Sequence, residues 1–183
     1  MTDHHIDNFR SPTYGPLSLS GIVDQAMAFI KREDNSLGPQ AEPRTARFLS
    51  EAKGSFFRIV VGTDSELVGK SSAHFVSAIV VHHVGHGGVY FWGSVTKDGI
   101  HDLRQRMYEE ATYSLTLAQR LLEEFKTKDL PLEKFLEIHV DVGEGGETRA
   151  MISEIVGMIK GSGFLCKTKP DSFAASNVAD RHT

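Results

Sequence analysis

The chain has a single cysteine, Cys166, among 183 residues, so it can form neither an internal disulfide nor a cysteine-based zinc site. No apolar run reaches the roughly 18 residues that a membrane-spanning helix needs. The polar start, Met1-Thr2-Asp3-His4-His5, lacks the apolar stretch of a secretory signal. Basic charge is also short: 20 Lys and Arg stand against 24 Asp and Glu, a formal net charge of −4. That sign argues against a protein that holds nucleic acid by bulk electrostatics. The balance is uneven, with 15 basic and 21 acidic residues up to Glu147 and 5 and 3 from Arg149 onward. What is present, 40% hydrophobic and 24% charged residues, is typical of a globular domain and excludes disorder and fibres. These features point to a soluble, cytoplasmic protein.

Four of the six prolines, Pro12, Pro16, Pro39 and Pro43, crowd the N-terminus. That shift divides the chain into an N-terminal extension, residues 1–54, and a core domain, residues 55–183. In the extension, Ser18 or Ser20 can cap a short amphipathic helix running to about Arg32, and Asp34 to Arg47 reads as a loop. The core opens with Phe56 to Val61, a run apolar but for Arg58 that fits a buried central strand. His74 to Val84 and Val89 to Val95 flank the turn Gly85-His86-Gly87-Gly88 and predict two antiparallel strands. From His101 to Lys126 the period becomes helical, with Leu103, Met107, Ala111, Ala118, Leu122 and Phe125 on one stripe. Phe135 to Val140 is a fourth strand, Thr148 to Lys160 a helix and Phe164 to Thr168 a fifth strand; Pro170 opens a last short helix. The result is an α/β fold: a mixed five-stranded sheet with helices on both faces.

Carboxylates gather where such a sheet places its ligands. Asp64 follows the first strand and Asp141 the fourth, and in a parallel pair both ends open on one edge. Two like charges there favour a divalent cation. On the long helix, Glu110 falls beside the apolar stripe, whereas Glu109 points nearly opposite, toward solvent. In the last helix Asn177 and Asp180 share a face and can add a ligand. Each has a plainer reading: Asp64 and Asp141 as turn or cap residues, Glu110 as a partner of Arg106, Asp180 as solvated. The joint placement carries the signal.

The segments Val61-Gly62-Thr63-Asp64-Ser65, Val84-Gly85-His86-Gly87-Gly88, His139-Val140-Asp141-Val142-Gly143-Glu144 and Ser176-Asn177-Val178-Ala179-Asp180-Arg181 resemble the YkuK family, a bacterial group classed as ribonuclease H-like. The resemblance runs from about Phe9 to the C-terminus. It implies a ribonuclease H-like fold with sheet order 3-2-1-4-5 and an acidic site for two divalent metals, Mg²⁺ or Mn²⁺. Matched by element, it places the site on Asp64, Glu110, Asp141 and Asp180. Those four carboxylates equal the whole net charge, so the −4 ceases to count strongly against nucleic acid.

The expected activity is hydrolysis of phosphodiester bonds in RNA, RNA–DNA hybrid or structured DNA by a two-metal mechanism. His182 is a candidate proton shuttle and Glu144 a reserve ligand. Lys160, Lys167, Lys169, Arg181, Arg104 and Arg106 are candidate phosphate contacts. The alternative is a ribonuclease H-like module that binds nucleic acid or protein without catalysis. A zinc site at His82, His83 and His86 fails because adjacent residues on a strand point to opposite faces. The loop Gly143 to Gly146 lacks the Gly-Lys-Ser/Thr of a phosphate loop.

Overall fold

The computed structural model describes residues 6–36, 57–128, 135–141, 148–173 and Val178. Its elements run β1 (Phe9–Ser11), β2 (Gly15–Leu17), α1 (Leu19–Ser36), β3 (Phe57–Val68), β4 (Ser72–His83), β5 (Gly87–Asp98), α2 (Leu103–Lys126), β6 (Leu136–His139), α3 (Thr148–Gly161) and β7 (Leu165–Lys167). One mixed sheet holds every strand in the order β2-β1-β5-β4-β3-β6-β7.

The expected five strands are β3 to β7, and their order along the sheet is the expected 3-2-1-4-5. The sheet nevertheless has seven strands, because β1 and β2 form a short hairpin that joins at the β5 edge through Arg10 opposite Trp92. Three-residue strands carry too little alternation to be read as strands, so none was expected in the N-terminal extension.

Alternation along the strands divides the core. Phe57, Ile59 and Val61 of β3, with Ile79 and Val81 of β4 and Phe91 of β5, pack against Ile22, Val23 and Ala26 of α1, Ala118 and Leu121 of α2, and Ile155 and Ile159 of α3. Helices on both faces were expected; among the described residues all three helices share this one face. The other face carries a smaller cluster of Val76, Ala78 and Val178, flanked by Val80, Tyr90 and Trp92. The last expected helix lies largely outside the described residues.

Two boundaries differ from expectation for physical reasons. The helix α1, capped by Ser18 Oγ accepting the Gly21 N–H at 3.2 Å, continues to Ser36, since no helix breaker occurs before Gly38 and Pro39. The strand β3 does not stop at Val61. Its pairing with β4 runs unbroken from Phe57 opposite His83 to Val68 opposite Ser72, closed by Gly69 at φ +74°. Asp64 is therefore inside a strand rather than just past its end. Among the described residues no helix is long and apolar enough to cross a membrane.

Candidate carboxylate site

The site is built where the parallel partner of β3 runs out. Parallel pairing of β3 with β6 ends at Gly62 opposite His139. Asp64 and Asp141 stand two residues beyond that pair, on the same edge and, by alternation, on the same face. Asp64 is half-buried, and the Asp141 side chain is 15% exposed.

Glu110 arrives from α2. The helix starts at Asp102, whose carboxylate accepts the Gln105 N–H at 2.7 Å. It buries Met107, Glu110, Ala111, Ser114, Leu117, Ala118, Leu121 and Phe125, a stripe at helical spacing that includes one carboxylate. Leu103, expected on that stripe, is 49% exposed in the first turn. Glu110 and Ser114 then read alternate residues of β3. Ser65 donates its hydroxyl to Glu110 Oε1 at 2.6 Å, and Ser114 donates to Thr63 Oγ1 at 2.9 Å. Thr63 in turn shares a 2.7 Å hydrogen bond with Ser77 of β4. This buried hydroxyl chain sets the register of the helix on the sheet.

The Glu110 carboxyl is raised to about 7: burial is the largest cause, the Ser65 hydrogen bond and Arg106 oppose it, and the charges of Asp64 and Asp141 reinforce it. Arg106 Nε lies 4.0 Å from Glu110 Oε1, an ion pair but no hydrogen bond. Glu109, expected to be solvated, pairs with Lys97 of β5 at 2.6 Å and is only 23% exposed.

Asp64 and Asp141 thus each stand within electrostatic reach of Glu110. Asp180, Asn177, His182, Glu144 and Arg181 lie outside the described residues. The donor set is carboxylate oxygen throughout, which suits a hard divalent cation such as Mg²⁺ or Mn²⁺, and its excess negative charge is what such a cation relieves. Among the described residues, no three His, Cys, Asp or Glu side chains are grouped closely enough to hold an ion by themselves. Lys169 Nζ lies 2.6 Å from Asp141 Oδ1.

The candidate phosphate contacts divide. Arg104 is engaged with Glu154 of α3 at 2.8 Å, and Lys160 is exposed. Lys167 is committed to Glu137 at 3.0 Å. That last contact belongs to a network that sequence reasoning missed. Glu137 and His139, 7% and 0% exposed, lie on one face of β6, and Asp141 continues that alternation two residues on. Glu137 Oε2 lies 3.2 Å from His139 Nε2, and its Oε1 lies 3.7 Å from Arg58 Nε. Burial works against the Glu137 charge. Hydrogen bonds from His139 and Lys167, with the charges of Lys167 and Arg58, outweigh it and hold the carboxyl down to about 2. The available signal was the placement of β6 between two other strands, where polar residues on either face require partners.

His82 and His83 do point to opposite faces. His82 meets the Phe173 ring edge-on at 5.8 Å, whereas His83 stacks on Phe57 at 4.4 Å beneath the helices.

The chain belongs to the ribonuclease H-like family, whose model matches residues 43–183, and the mixed sheet in this order accords with it. The expected kinship to YkuK is also found. The chain is 32% identical over 188 residues to the uncharacterized protein YkuK of Bacillus subtilis (strain 168), covering 96% of each chain. No solved structure matches it.

Proposed function

We propose that the protein is a metal-dependent nuclease that hydrolyses phosphodiester bonds of RNA, RNA–DNA hybrid or structured DNA. Asp64, Glu110, Asp141 and Asp180 are the residues that would hold two Mg²⁺ or Mn²⁺ ions. The observation that carries this reading is that the charges of Asp64 on β3 and Asp141 just past β6 both raise the carboxyl of Glu110 on α2, which together with burial stands at about 7. Negative charge concentrated in this way costs stability unless a cation answers it. Bound there, divalent ions would supply the means to lower the pKa of an attacking water and to stabilise a leaving 3′-oxygen. The chain's own part is to hold the donors: Ser65 fixes Glu110 against β3, and the Thr63–Ser77–Ser114 chain fixes α2.

A non-catalytic ribonuclease H-like binding module is the second reading, favoured by Lys169, which already supplies Asp141 with a positive charge. One panel separates the two. The protein is incubated with Mn²⁺ or Mg²⁺ and labelled RNA, RNA–DNA hybrid, single-stranded DNA or branched DNA, beside the Asp64→Asn variant. Metal-dependent cleavage lost in the variant supports the nuclease; binding without cleavage of any substrate supports the module.

A further inference from the structure

Two successive residues at the end of β6, His139 and Val140, are tied to the end of β7 and to the chain beyond it. Val140 N–H donates to Lys167 O at 2.9 Å, and Phe173 N–H donates to His139 Nδ1 at 3.0 Å. Between those ties the chain closes a turn, with the Asp171 and Ser172 N–H groups on Thr168 O at 2.9 and 3.1 Å. Lys169 sits in that turn, and its ammonium reaches Asp141, the residue after Val140.

We infer that His139 is a positioning residue: it pins the strap from Thr168 to Phe173 across the end of β6 and so delivers Lys169 to Asp141. An imidazole that accepts at Nδ1 carries its proton on Nε2, where it faces the Glu137 carboxylate. Arg58 and Lys167 in turn keep that carboxylate charged and in place. The His139 ring meets Phe173 edge-on, with centroids 4.7 Å apart, so the strap is held by packing as well as by the hydrogen bond. The carboxylate site thereby gains one cation from its own chain. On the nuclease reading, that ammonium is what a divalent ion meets at Asp141.

The test separates hydrogen bonding from packing. In His139→Asn the side-chain oxygen takes the place of Nδ1 and still accepts the Phe173 N–H; in His139→Gln the amide takes the place of Nε2 and the strap loses its acceptor. Acylation of Lys169 by acetic anhydride, read by mass spectrometry against exposed Lys70, rises several-fold in His139→Gln and stays near wild type in His139→Asn. Hydrogen exchange at the Phe173 amide follows the same pattern. Equal behaviour of the two variants overturns the inference. So does a ¹⁵N spectrum of the unmutated protein showing His139 protonated at Nδ1, which needs no variant to fold. In Mn²⁺ calorimetry, Lys169→Met and His139→Gln each tighten binding, and the double variant gains nothing beyond Lys169→Met. Absence of Mn²⁺ binding in every variant removes the metal reading and leaves the strap to be decided by the labelling.

Discussion

Ser65 donates its hydroxyl to Glu110 across 2.6 Å, while its chain neighbour Asp64 raises the same carboxyl through its charge. Two successive residues of β3 thus act on one helix residue in opposite senses. Strand alternation makes this possible: Ser65 faces α2, and Asp64 turns to the other face beside Asp141. The candidate site straddles the sheet edge, with Glu110 reaching it from the helix side.

That placement predicts how stability depends on pH. The Glu110 carboxyl rises from an ordinary 4.5 to about 7 on folding, so between those values the folded chain binds more protons than the unfolded one. Its contribution is full below about pH 4.5 and is lost as pH climbs through about 7. Glu110→Gln removes the loss. In metal-free buffer the variant matches wild type at pH 4 and is more stable at pH 8, by about 3 kcal/mol at most. Urea unfolding at both pH values measures the gap, and a constant difference would contradict the assignment.

Ser65→Ala tests the opposing partner. Removing a hydrogen bond to the charged form moves the Glu110 carboxyl further up and leaves a buried oxygen without its donor. The expected cost is about 1 kcal/mol at pH 5 and larger at pH 8. Carboxyl ¹³C titration by NMR reads the upward shift directly.

Much of this was legible in the residues. The helical period over Leu103–Lys126 is long enough to separate Glu110 from Glu109 by about 100°, and only Glu110 is buried. The run from Phe57 to Val61 is apolar but for Arg58, with Val60 buried on the same face as that arginine, which marks the central strand. Less legible were features that depend on partners distant in sequence. Whether β3 stops at Val61 or continues past Asp64 is decided by how far β4 can follow it, and nothing in Thr63-Asp64-Ser65 shows that. The Glu137–His139 network was hidden for the same reason. Its polar residues alternate with Leu136 and Ile138 as on an exposed strand, and it is Arg58 of β3, with β7 and the chain beyond it, that partners and covers them.

Asp64→Asn removes one negative charge beside Glu110 and one donor from the site. The Glu110 carboxyl moves down toward the ordinary range, and Mn²⁺ affinity measured by calorimetry falls at least tenfold if Asp64 is a ligand. Glu109→Gln is the control. It breaks only the part-exposed pair with Lys97, worth less than about 1 kcal/mol, and leaves Mn²⁺ binding unchanged. Identical isotherms for Asp64→Asn and wild type would remove Asp64 from the site.

The N-terminal hairpin yields the last prediction. At Gly93 of β5 a Cβ would strike Ile6 Cγ2 and lie 2.8 Å from the backbone oxygen of Asn8. Ile6 and Phe9 are buried in the main core, and Asp7 is tied to Arg120 of α2 at 2.6 Å, so this segment has little room to yield. A side chain at residue 93 must therefore lift β1 or bend β5. Gly93→Ala is expected to cost about 2 kcal/mol or more, as overpacking of a filled site does. Gly157, with open space around it on α3, gives the contrast: Gly157→Ala gains about 0.5–1 kcal/mol through helix propensity. Thermal unfolding of the two variants separates them by sign, and a neutral Gly93→Ala would mean that the hairpin is not docked on β5.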